Sequence, residues 1–156
     1  MNLNVKSLHL TVSAICQSND IEHNGRFLMV EERPNTNQNT VINQPAGHVE
    51  INETLTEAVI RETLEETGYD FNPSHIVGIY QLTTESGKTY FRICFCGSVK
   101  KHLPPTKIDK DILAAHWMSA DDILSHSHQR SSLVSQCLQD YLEGKRYPLD
   151  ILHALN

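Results

Sequence analysis

Residues 47–69 read GHVEINETLTEAVIRETLEETGY. Thr54-x-x-Glu57 has the form of a capping box, and Gly68 stands where a C-terminal cap glycine belongs, so the spacing predicts a helix between them. On that helix Glu62, Glu65 and Glu66 follow one another at (i, i+3, i+4) and share a face, close enough to repel. Such crowding is costly unless divalent cations hold the carboxylates in place. Leu55, Ala58 and Val59 form an apolar stripe that the three glutamates continue, while Ile60 and Leu64 lie on the opposite side at about 100° per residue. The helix therefore reads as sandwiched, with its carboxylates where periodicity expects core. Burying such charges without compensation costs several kcal/mol each.

The competing reading is a solvated helix on which Arg61 makes an ion pair worth a few tenths of a kcal/mol. The wider pattern argues against it. Gly47-x5-Glu53-x7-Arg61-Glu62-x2-Glu65-Glu66-x-Gly68 sets seven identities at fixed spacings. At roughly 7% usage per residue type, a chance match is on the order of 10⁻⁸ per starting point.

This segment resembles the Nudix box of the Nudix hydrolases. The family pattern expects an aliphatic residue after Arg-Glu, where this chain has Thr63, and another near the end, where it has Tyr69; neither is a metal-ligand position. The resemblance implies an α/β (α+β) fold, an α/β/α sandwich with a mixed sheet between helices. It also implies that the main-chain carbonyl of Gly47 joins Glu62, Glu65 and Glu66 in holding Mg²⁺, with Mn²⁺ as a possible substitute. A narrower resemblance links Gln44-Pro45-Ala46-Gly47-His48, and the stretch from Arg130 through Arg146-Tyr147-Pro148-Leu149, to the bacterial NudJ-type phosphatases. Those act on nucleoside tri- and diphosphates and on the thiamine precursor hydroxymethylpyrimidine diphosphate.

Around the box, Leu8 to Cys16 alternates as a half-buried strand, and Asn24-Gly25 marks a hairpin turn into a second strand from Arg26 to Glu31. Arg33 to Thr40 is a polar surface loop, and Val41 to Gln44 a brief strand stopped by Pro45. Ile76 to Leu82 and Tyr90 to Val99 form two more strands, the second with Phe91, Ile93, Phe95 and Val99 on one face and Tyr90, Arg92, Cys94 and Cys96 on the other. Ser86-Gly87-Lys88-Thr89 mimics the end of a phosphate-binding loop, but Leu82 occupies the first glycine position and a strand follows, so it reads as a hairpin turn. Lys101 to Lys110 is a proline-bearing loop, Ala114 to Met118 a short strand. Helices run from Ser119 through Ser125 and from Leu133 to Leu142, the latter ended by Gly144.

A length of 156 residues suits a single domain over 1–156. Nineteen acidic against 13 basic residues give a net charge of −6, which disfavours a nucleic-acid polymer as partner. A small phosphorylated substrate remains compatible, with metal supplying the positive charge. No stretch has the apolar length of a membrane span and the first residues alternate, so a cytoplasmic protein acting as monomer or homodimer is expected. Cys16, Cys94, Cys96 and Cys137 contain no C-x-x-C pair and read as reduced packing residues, and His126-x-His128 lacks partners for zinc.

Water attacking a diphosphate meets a polyanion, and hard cations held by oxygen ligands relieve that repulsion and acidify the attacking water. Glu62 and Glu65 are the first candidates for general base, ahead of Asp109 and Asp111. Arg61 orients Glu53 or Glu65. Arg33, His48, Arg92 and Gln44 are candidate substrate contacts; Tyr90 could stack on a base, whereas Trp117 fits the core better. The expected reaction is release of orthophosphate from a terminal phosphate. The alternatives are a pyrophosphohydrolase of oxidised or normal nucleoside triphosphates or of ADP-ribose, and a non-catalytic nucleotide sensor, which should have lost its acidic ligands.

Overall fold

A computed structural model describes residues 7–35, 38–102 and 108–155. A five-stranded mixed sheet has the order β4-β1-β6-β5-β8, built from β1 (Leu8–Cys16), β4 (Ala46–His48), β5 (Tyr69–Thr83), β6 (Thr89–His102) and β8 (Tyr147–Pro148). β1 and β6 run parallel with Leu8 opposite Thr89, and the other pairings are antiparallel. A second, three-stranded antiparallel sheet orders β3 (Val41–Asn43), β2 (Phe27–Glu32) and β7 (Ile112–Met118).

Helix α1 (Leu55–Thr67) packs on one side and α2 (Ala120–Leu124) with α3 (Ser132–Leu142) on the other. The period-two pattern of the strands divides the core between them. Ile93 and Phe95 of β6 join Val12, Ala14, Ala58 and Val59 against α1; Cys94 and Cys96 join Ile15, Val134, Cys137 and Leu138 against α3. All four cysteines are free and buried.

The expected alternation of β6 and the α/β/α layering hold, and several local readings are corrected. β1 is buried on both faces from Thr11 to Cys16 and is not half-exposed, because Val12, Ala14 and Cys16 pack in the core with α1 and Ile15 in the core with α3. Asn24-Gly25 does turn, with Gly25 at φ +79°, yet β1 and β2 enter different sheets and are joined just past the end of β1 by the Gln17–Phe27 bridge. β5 begins at Tyr69, seven residues before the expected Ile76: Pro73 breaks the sequence pattern, but register shifts around it absorb the missing N–H. The expected 101–110 loop starts later, since β6 continues to His102; residues 103–107 lie outside the described chain.

Candidate active site

Helix α1 begins as its sequence requires. Thr54 accepts a hydrogen bond from the Glu57 N–H, Glu57 Oε2 accepts one from the Thr54 N–H, and Gly68 ends the helix in the left-handed conformation. Its buried arc is Ala58, Val59, Thr63, Glu66 and Thr67. Glu66 thus falls among the core positions at 6% exposure, while Glu65, one residue and about 100° away, is half exposed. The three carboxylates therefore do not share one environment, contrary to the stripe drawn from sequence. Thr63, where an aliphatic residue was expected, is fully buried and donates its hydroxyl to the Val59 carbonyl at 2.8 Å, which satisfies the polar atom inside the helix.

α1 clamps the short strand β4 at both ends. Glu66 Oε1 accepts the Ala46 N–H at 2.7 Å, and Arg61 Nη2 donates to the His48 carbonyl at 3.0 Å. Gly47, held between these ties, sits so close to Glu62 that a Cβ there would overlap its carboxyl carbon and both oxygens. Arg61 organises the surrounding acids. Its Nε and Nη2 grip the two Glu53 oxygens at 2.9 and 2.7 Å, and Nη1 reaches Glu62 Oε1 at 2.8 Å and Glu65 Oε2 at 3.2 Å. Glu53 in turn accepts the Glu50 N–H. This is the bidentate geometry for which a guanidinium is suited.

A cleft of about 560 Å³ opens over these residues, with Gly47, His48, Glu62 and Glu66 on one wall and Asp109 and Asp111 at its lip. The sheet lines it through Thr11, Tyr90 and Arg92, and the start of α3 through Arg130, Ser131 and Leu133. Burial pushes Glu66 up to about 9, helped by the nearby Glu32, Glu62 and Asp109 charges and opposed by the Ala46 hydrogen bond. Burial also raises Glu62, against the pull of Arg61. Arg61 holds Glu53 below the usual carboxylate range and is itself raised by Glu53.

Expected site residues divide into three groups. Gly47, His48, Glu62, Glu66, Arg92, Tyr90, Asp109 and Asp111 line the cleft. Arg61 and Glu53 stand behind it, and Glu65 lies at the outer edge of α1, tied to Arg61. Arg33 and Gln44 are placed elsewhere. Arg33 lines a separate depression with His126 and His128, and Gln44 is buried with its Nε2 donating to the Val134 carbonyl of α3 at 2.8 Å. Trp117 packs toward the α1 side with its Nε1 donating to Tyr69. Sequence reading passed over Glu32, Asn43 and the Arg130 side chain as cleft residues. The one signal for Glu32 was the pair of acids ending the apolar run of β2.

Glu62, Glu66 and the Gly47 main chain form a hard-oxygen donor set of the kind that suits Mg²⁺ or Mn²⁺. Glu66 is buried beside three further anions, and among the described residues it has no ion-pair partner, so a cation is the natural counterion. Among the described residues no three such side chains converge tightly enough to hold a metal without adjustment. Arg61 occupies Glu62 and Glu65 instead.

The family model of the NUDIX domain matches residues 7–137. Phosphatase NudJ of Escherichia coli K12 is 36% identical over 148 residues, covering 95% of this chain and 92% of that protein. Among solved structures, a NUDIX hydrolase from Nitrosomonas europaea superposes with a TM-score of 0.87 at 42% identity, covering 96% of this chain and 98% of the other. A MutT protein from Methanosarcina mazei Go1 superposes at 0.69 with 24% identity over 91% and 99%, a likeness of fold alone.

Proposed function

The chain belongs to the Nudix family and is a phosphohydrolase, and from that premise we propose that it is a Mg²⁺-dependent enzyme releasing orthophosphate from the terminal phosphate of small diphosphates and triphosphates. Nucleoside tri- and diphosphates and hydroxymethylpyrimidine diphosphate are the proposed substrates, as the likeness to phosphatase NudJ suggests. The observation that carries the reading is Glu66, buried at the base of the cleft beside Glu62, Glu32 and Asp109 with no cationic partner among the described residues.

Glu62, Glu66 and the Gly47 carbonyl would hold the cation, with Glu65 reaching it from the outer edge of α1. When bound, it neutralises the phosphate oxygens and acidifies water. Arg61 fixes the direction of Glu62 and, through the His48 carbonyl, the position of Gly47. Glu62 would accept the proton of the attacking water from within the cleft, a role that Glu65 at the outer edge is poorly placed to fill. His48 and Arg92 face the substrate. A small phosphorylated compound is the only partner invoked, for a monomer or homodimer. A cytoplasmic location belongs to the same proposal and is supported by four free, buried cysteines.

The test is a panel of hydroxymethylpyrimidine diphosphate, nucleoside di- and triphosphates and ADP-ribose with Mg²⁺, scored for orthophosphate against pyrophosphate. Orthophosphate is expected. Predominant pyrophosphate, or cleavage of ADP-ribose alone, overturns the substrate assignment, and inactivity with both Mg²⁺ and Mn²⁺ overturns the reaction.

A further inference from the structure

Arg92 lies on β6 in register with Thr11 of β1, and it lines the cleft. It is 7% exposed, and its Nε and Nη1 are buried without any hydrogen-bond partner. Among the described residues it has no ion pair. A buried guanidinium left unpaired costs several kcal/mol, and buried donors are ordinarily satisfied. Arginine in that position calls for an acceptor that arrives from outside the fold.

The same cleft is lined by the N-terminal end of α3, an eleven-residue helix whose first turn bears no acid. Ser131 caps it by accepting the Leu133 N–H, and Arg130 immediately before it is exposed at the cleft without an ion pair among the described residues. Positive helix-end potential, an unpaired buried arginine and a second arginine thus line the same cleft as the carboxylates.

We propose that this corner is a second anion subsite, working without metal, that binds the phosphate remaining on the organic product. The inference rests on the phosphohydrolase reading of the same cleft and assigns its two ends: carboxylates and cation for the phosphoryl group removed, Arg92 with Arg130 and the start of α3 for the phosphate that stays.

The test titrates inorganic phosphate into the protein in EDTA, following the backbone amide signals of Ser132 and Leu133 by NMR. Saturable shifts are expected in the wild type. Arg92→Met should weaken them at least tenfold and Arg130→Ala at least threefold; if Arg92→Met does not fold, Arg92→Lys, which keeps the charge but loses Nε and Nη1, should still weaken them severalfold. Absent shifts in the wild type, or unchanged affinity in Arg130→Ala together with the folded Arg92 variant, overturn the subsite. Glu66→Gln separates the two claims, since it should abolish hydrolysis while leaving metal-free phosphate binding intact or tighter. Loss of phosphate binding in Glu66→Gln would also overturn the subsite as an independent one.

Discussion

The Glu62 carboxylate occupies the space a side chain at residue 47 would need, so the glycine of β4 and the glutamate of α1 are one packing unit. The strand is brought to that distance by ties at Ala46 and His48, both from α1. Gly47→Ala must therefore push Glu62 out of the cleft. We expect kcat to fall at least 100-fold, about 2.7 kcal/mol of transition-state stabilisation, with a much smaller change in thermal stability; steady-state kinetics and calorimetry on the same samples check it.

Glu66 gives a pH dependence with a definite sign in the metal-free protein. Its folded pKa, about 9, lies above the ordinary value of 4.5, so between those values the folded state binds more protons than the unfolded one. Stability from this group is fully present below about pH 4.5 and is lost as the pH rises toward 9, by at most about 1.4 kcal/mol per pH unit. In EDTA, Glu66→Gln should be more stable than wild type at pH 8 and lose that advantage by pH 5. Denaturant titrations at three pH values decide the matter, and Mg²⁺ should recover the wild type at pH 8 without affecting the variant.

Arg61 makes five of the hydrogen bonds described here, two to Glu53, one each to Glu62, Glu65 and the His48 carbonyl. Arg61→Lys keeps the charge and cannot reproduce the fork. A fall in kcat of roughly 10- to 100-fold is expected, of the order assigned to partners that orient metal ligands, with the Mg²⁺ concentration for half-maximal activity raised. Unchanged metal dependence would show that Arg61 does not position the ligands.

Gln44 separates binding from stability. Because its amide reaches α3 and not the cleft, Gln44→Ala should lower stability by about 1 kcal/mol, the worth of one such hydrogen bond, and leave KM unchanged. A raised KM at unaltered melting temperature would restore Gln44 to the substrate.

What could be read from sequence was what short-range chemistry decides. The capping box at Thr54 and Glu57, the αL glycine at 68 and the alternation of β6 depend on neighbours within a few residues, and they appear as expected. β4 was not legible because three residues after a proline carry no strand signal; α1 holds them in place from twenty residues away. Likewise Glu65 looked equivalent to Glu66 on a helical wheel, and only the position of the sheet decides which of the two is covered. Glu32, Asn43 and Arg130 come from three separate segments, and no local pattern brings them to one cleft.

The parallel pairing of β1 with β6 has a consequence for how the chain assembles. β1 is made first, yet β6, the second of its two partners, follows about eighty residues later, as the Thr11 to Phe91 hydrogen bond records. Closing so long a loop is slow, whereas the adjacent β5 and β6 can zip locally. Until β6 is made, one edge of β1 therefore lacks its partner, and the cleft, whose lining includes Thr11 and Arg92 from that late pair, is completed only when the two strands join.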